Sequence, residues 1–150
     1  MPINSKVLLY CDGACSGNQF SKNKGGWGFV VVKNKDIKKI SGSAINTSNQ
    51  KMELTACIEG LKFLKNEKSE IKIFSDSAYL INCMNEKWYL KWQNNGWKNS
   101  KKEKIVNQDL WGTILKLILS KNISFHKVEG HSGDKWNELA NELAQTAQHK

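Results

Sequence analysis

The sequence contains no arginine, only one proline, and no apolar run long enough to cross a bilayer. Without arginine, bidentate reading of base edges in a major groove is not expected. All 23 basic side chains are lysines, which meet phosphates as point charges. With one proline and no repeat or low-complexity tract there is no candidate linker, so residues 1–150 are expected to form a single domain. No N-terminal apolar segment of the secretory kind is present, so the expected location is the cytoplasm and no membrane contact is expected. The four cysteines, Cys11, Cys15, Cys57 and Cys83, form no C-x-x-C pair and match no zinc spacing. They read as reduced, mostly buried thiols.

What is present is an excess of positive charge, +9 at pH 7, on a chain that is 39% hydrophobic and holds six tryptophans. That apolar content supports a folded core, and 150 residues suffice to bury one. The charge favours a polyanionic partner such as nucleic acid. Basic composition adopted for solubility is the competing reading, and charge alone does not separate the two.

Val7 to Cys11 is a short apolar run that ends on Asp12-Gly13, the pattern of a buried strand delivering a carboxylate to a sheet edge. Gly25 to Val32 and Ile37 to Ile45 read as two further strands, joined by the turn Asn34-Lys35-Asp36, so the three form an antiparallel meander. The period then changes. Leu54, Cys57, Ile58, Leu61 and Leu64 recur at helical spacing, predicting a helix over about Gln50 to Lys65 with Glu53 in its first turn. Glu70 to Phe74 alternates as a strand before Ser75-Asp76-Ser77, and Ala78 to Met84 continues as a short helix. Helices over Asn107 to Ser120 and after Asp134 flank a last strand, Ile123 to Val128. The order is β-β-β-α-β-α-α-β-α. It implies an α/β fold with a five-stranded mixed sheet, three antiparallel strands followed by parallel ones, and helices on both faces.

A strand that follows a crossover helix pairs parallel with an earlier strand. If the fourth strand pairs with the first, Asp12 and Asp76 become neighbours, and Glu53 can reach the same edge. Three carboxylates without lysine partners repel one another, which is how a divalent-cation site looks from sequence. All-oxygen ligands favour Mg²⁺ or Mn²⁺. Taken singly, each acid reads equally well as a strand-end or helix-start carboxylate.

The set of motifs resembles a known family. Cys11-Asp12-Gly13-Ala14-Cys15-Ser16-Gly17-Asn18, Gly25-Gly26-Trp27-Gly28, Thr47-Ser48-Asn49-Gln50-Lys51-Met52-Glu53-Leu54, Ser75-Asp76-Ser77, Gly130-His131-Ser132-Gly133 and Asn137-Glu138-Leu139-Ala140-Asn141-Glu142-Leu143-Ala144 occur in order. Together they resemble ribonuclease H of the small bacterial type (type I), over nearly the whole chain. The resemblance implies hydrolysis of the RNA strand of an RNA–DNA hybrid by two Mg²⁺ ions, with Mn²⁺ as a possible substitute, leaving 5′-phosphate and 3′-hydroxyl ends. It assigns the ions to Asp12, Glu53 and Asp76, with Asp12 bridging, and gives His131 a part in proton movement or product release. Substrate contacts implied in the same way fall on Gly13, Cys15, Asn18, Ser48, Asn49 and Gln50. The Trp88/Trp92/Trp97 segment with Lys98 resembles the family's basic handle. Some of these indoles would pack its base while Lys91, Lys98, Lys101 and Lys102 face the duplex. The chain starts almost at the first motif, so no separate hybrid-binding domain is expected, and a monomer is the default.

The family motif carries a fourth acid where this chain has Asn141. An amide oxygen can ligate or hold a water, but it brings no charge, so weaker binding of one ion is expected. Asp134 or Glu138 could compensate, although Asp134 also suits a helix N-cap. The loop after Asn18 is longer than the family's. The handle has Gln93-Asn94-Asn95 in place of basic residues, which should weaken hybrid affinity and flatten its salt dependence. Two other readings stay open: a catalytically impaired hybrid-binding module, and a different nuclease or strand-transfer enzyme of the same superfold.

Overall fold

The computed structural model describes residues 6–16, 23–129 and 134–149. Five strands, β1 (Lys6–Ser16), β2 (Lys24–Lys33), β3 (Asp36–Ile45), β4 (Glu70–Ser75) and β5 (Ile123–Lys127), form one sheet in the order β3-β2-β1-β4-β5. β1, β2 and β3 pair antiparallel, whereas β4 pairs parallel with both β1 and β5. The expected mixed sheet is therefore the observed one. The hairpin between β2 and β3 turns on Asn34 at φ 57°, a left-handed conformation that asparagine tolerates well.

Alternation along β1 divides the molecule. Val7, Leu9 and Cys11 point to one face, where α1 (Asn49–Phe63), α2 (Ala78–Asn85) and α4 (Gln108–Ile118) cover them. Leu54, Cys57, Ile58, Leu61 and Leu64 all lie in that core, as their spacing predicts. Trp111 and Ile114 of α4 complete it, both fully buried. Leu8 and Tyr10 point to the other face, against α5 (Lys135–Gln148) through Ala140, Trp136, Leu139 and Leu143. Asp12 shares this second face by the same alternation.

Three expectations need correction. First, β1 does not end at Asp12. It runs on to Ser16 because β2 continues to pair with it, Asp12 opposite Gly28 and Ser16 opposite Lys24. What stops there is the ladder to β4, whose last pair is Tyr10 with Phe74. Asp12 thus sits in a strand paired on one side and open on the other. Second, Glu53 is not in the first turn of α1. Ser48 caps the helix, its Oγ accepting from the Lys51 N–H at 3.1 Å, so Asn49 begins it and Glu53 comes fifth. Third, an additional helix, α3 (Trp88–Asn94), stands between α2 and α4. It buries no residue completely, so its spacing carries little amphipathic signal. Lys87 at φ 56° breaks it from α2, and Trp92 holds it against Trp97 and Trp111, with ring centroids 6.0 and 5.8 Å apart.

Candidate active site

Two glycines let helices approach the strand that carries Asp12. A Cβ on Gly13 would run into the backbone of Met52 and Glu53, so its absence brings α1 against β1 and places Glu53 beside Asp12. On the other face, a Cβ on Gly28 would come within 2.6 Å of Leu143 Cβ and 3.0 Å of the Ala140 carbonyl oxygen. Gly28 is the cross-strand partner of Asp12, so the close seat of α5 brings Asn141 over that carboxylate. Asp76 follows β4 directly. Extending the β1–β4 register by two residues sets it opposite Asp12.

The three carboxylates converge. One oxygen from each of Asp12, Glu53 and Asp76 lies within 4.8 Å of the others. Asp12 is 3% exposed and accepts from the Gly13 N–H at 2.8 Å and from Asn141 Nδ2 at 2.7 Å. Burial pushes the Glu53 carboxyl from its usual 4.5 up to about 7. A hydrogen bond with Ser77 opposes this, and the charges of Asp12 and Asp76 add to it. Neither Glu53 nor Asp76 forms an ion pair among the described residues. An oxygen-only set of crowded acids, one of them held partly protonated, fits a hard divalent cation.

Asn141 also lines a cavity of about 220 Å³ with Asp76, Asn137 and Glu138. Asp134 does not reach for this space. It caps α5, its Oδ1 accepting from the N–H groups of Trp136 (3.1 Å) and Asn137 (3.0 Å). Of the two acids that could compensate for Asn141, only Glu138 faces the cavity. Sequence reasoning did not single out Ser77 or Asn137 as site residues. Ser77 follows Asp76 as the N-cap of α2, where its Oγ also accepts from the Leu80 N–H at 3.1 Å. Asn137 lies one helical turn before Asn141, and that spacing was the available signal.

Around the acids, Gly13, Cys15, Ser48, Asn49 and Gln50 form one neighbourhood. Cys15 Sγ donates to the Thr47 carbonyl at 3.7 Å, tying the end of β1 to the start of α1, where Asn49 and Gln50 are exposed. Trp88, Trp92 and Trp97 are half-buried on the α3 segment, and Lys91, Lys98, Lys101 and Lys102 are exposed. That segment connects to the site through Tyr79, near the start of α2. The Tyr79 hydroxyl accepts from Trp111 Nε1 at 2.9 Å and from Asn107 Nδ2 at 3.3 Å. Asn18 and His131 lie outside the described residues, as does most of the loop that follows Asn18. His126 is structural, stacked 5.1 Å from Phe74 with Nε2 2.7 Å from Ser124 Oγ. All four cysteines are free, and Cys11, Cys57 and Cys83 are buried.

The RNase H family model matches residues 4–149. The chain belongs to the ribonuclease H family. A ribonuclease H of Syntrophomonas wolfei is 48% identical over 142 residues, 95% of each chain. One of Chlorobium phaeovibrioides is 44% identical over 148 residues, 99% of each. The solved structure of LC9-RNase H1, described as a type 1 RNase H with the type 2 active-site motif, superposes with a TM-score of 0.82 at 28% identity. It covers 99% of this chain and 74% of that one. The sheet order and helix placement described above are thus the ribonuclease H fold.

Proposed function

We propose that this chain, as a single domain, hydrolyses the RNA strand of RNA–DNA hybrids endonucleolytically, leaving 5′-phosphate and 3′-hydroxyl ends. The observation that carries the reading is the convergence of Asp12, Glu53 and Asp76 within 4.8 Å in a chain of this family. These three, with the amide of Asn141, would hold the divalent cations, Mg²⁺ or in its place Mn²⁺. When bound, the cations supply an activated water and stabilise charge on the leaving 3′ oxygen. The protein's own groups prepare that chemistry. Gly13 N–H and Asn141 fix the Asp12 carboxylate, and Ser77 orients Glu53. Glu53, held partly protonated by burial, would have to be ionised to serve as a ligand. Asn49 and Gln50, with Asn18, contact the minor groove of the hybrid, where amides reach base edges and 2′-hydroxyls, while the Ser48 hydroxyl meets a phosphate of the DNA strand and Gly13 and Cys15 contribute further substrate contacts. Trp88, Trp92 and Trp97 stiffen the handle, from which Lys98 and its neighbours meet phosphates. His131 serves proton movement or product release.

The competing reading, a hybrid-binding module with impaired catalysis, draws on the amide hydrogen bond from Asn141 to Asp12 where the family motif has an acid. One experiment separates them. A labelled hybrid incubated with the protein in Mg²⁺ and in Mn²⁺ is cleaved in its RNA strand if the proposal holds, and Asp12→Asn binds the hybrid without cutting it. Binding without cleavage in either metal refutes the enzyme reading, and full activity of Asp12→Asn refutes the metal assignment.

A further inference from the structure

Buried polar atoms in folded proteins are nearly always hydrogen-bonded. Among the described residues three side-chain oxygens are buried without a partner: Asn107 Oδ1, Asn137 Oδ1 and Gln148 Oε1. Of these residues, Asn137 is the one in the wall of the cavity that Asp76, Glu138 and Asn141 share. Its backbone is held in place. The residue is 2% exposed, and its backbone N–H is fixed by the Asp134 cap at the start of α5. Asn137 and Asn141 are four residues apart on one helix, so their amides lie on the same face. A cavity of about 220 Å³ has room for a cation with part of its water shell. Mg²⁺ keeps several waters when protein-bound, and those waters need acceptors.

We propose that Asn137 belongs to the cation site: its buried amide oxygen accepts a hydrogen bond from the water shell of a divalent cation held beside Asp76 and Asn141. The inference rests on the divalent-cation reading of the three acids. Asn137 is a positioning residue, acting on the cation through water. It orients the hydration shell on the side where Asn141 supplies an uncharged group. An unpaired oxygen that weakens the metal-free fold is retained because the hydrated cation completes it.

The test is Mn²⁺ binding by calorimetry without substrate, beside thermal denaturation in chelator, on the full chain and on Asn137→Ala and Asn137→Asp. Asn137→Ala should bind Mn²⁺ about 10- to 100-fold more weakly, the usual effect of losing an outer-shell partner. Its Tm in chelator should match or exceed that of the parent, because an unpaired buried oxygen has gone. Asn137→Asp, close in shape and still an acceptor, should bind Mn²⁺ at least as tightly as the parent. It carries the test if the alanine variant does not fold. A merely structural asparagine gives the opposite pattern, lower Tm in chelator with unchanged Mn²⁺ affinity, and that result overturns the inference. So does Mn²⁺ affinity within twofold of the parent in Asn137→Ala, or a loss of affinity in Asn137→Asp. A parent chain that binds no Mn²⁺ removes the cation reading itself, and this inference with it.

Discussion

Replacing Glu53 by glutamine should stabilise the metal-free protein at high pH and leave it unaffected at low pH. In the fold the Glu53 carboxyl is pushed from 4.5 up to about 7, first by burial and then by the charges of Asp12 and Asp76. Because the folded value is the higher one, the stability Glu53 contributes is fully present below pH 4.5 and is lost as pH rises through 7. At about 1.4 kcal/mol per pH unit the full effect is roughly 3 kcal/mol. Glu53 is partly exposed, and screening by solvent reduces the working figure to about 2 kcal/mol. For a domain of this size that corresponds to roughly 4–8 °C in Tm. Glutamine keeps the shape and can still accept from Ser77 but does not ionise. Thermal denaturation in chelator should therefore show Glu53→Gln melting several degrees above the parent at pH 8 and level with it at pH 4.5. Added Mg²⁺ should raise the Tm of the parent and reverse the pH 8 order, because only the carboxylate recruits the cation. A Glu53→Gln protein that melts at or below the parent at pH 8 in chelator refutes the crowding argument.

Asn141→Asp replaces a hydrogen-bond donor to Asp12 by a fourth acid, so the metal-free Tm should fall while the Mg²⁺ concentration for half-maximal cleavage drops. An unchanged requirement, measured by titrating Mg²⁺ in a hybrid cleavage assay, disproves the view that the amide weakens the site. Gly13→Ala drives a methyl group into the Met52 and Glu53 backbone and should cost about 1–3 kcal/mol by urea denaturation, with a sharp loss of cleavage. Trp92→Ala removes the ring contacts to Trp97 and Trp111 and should cost roughly 2–3 kcal/mol of stability. A variant of unchanged Tm that loses hybrid affinity would show that this indole faces the substrate instead.

Much of the molecule was legible before any coordinates. The apolar runs of β1 and β2, the alternation of β4 and the 3.6-residue period of Leu54, Cys57, Ile58, Leu61 and Leu64 report burial directly, because each side chain's environment follows the backbone geometry. The motifs around Asp12, Glu53 and Asp76 named the acids for the same chain positions that the fold brings together. Local signals misplaced two of them within their elements. The extension of β1 beyond Asp12 depends on β2, which lies eight or more residues away along the chain, and the start of α1 depends on which of several polar residues takes the cap. The helix at Trp88 was hidden because its stability comes from indoles on neighbouring segments, not from a buried face of its own.

The sequence by itself determined every element type except α3, the apolar residues of the main core, and the three acids as candidates, since these follow from periodicity and residue chemistry. Only the tertiary structure decided their distances, the raised Glu53 carboxyl, the capping role that removes Asp134 from the site, and the unpaired oxygen of Asn137. Apart from the Asp134 cap, which is a local contact, the physical reason is common to them. Burial and electrostatic coupling arise between residues far apart in sequence, such as Asp12 and Asn141, and exist only once β1 has α1 on one face and α5 on the other.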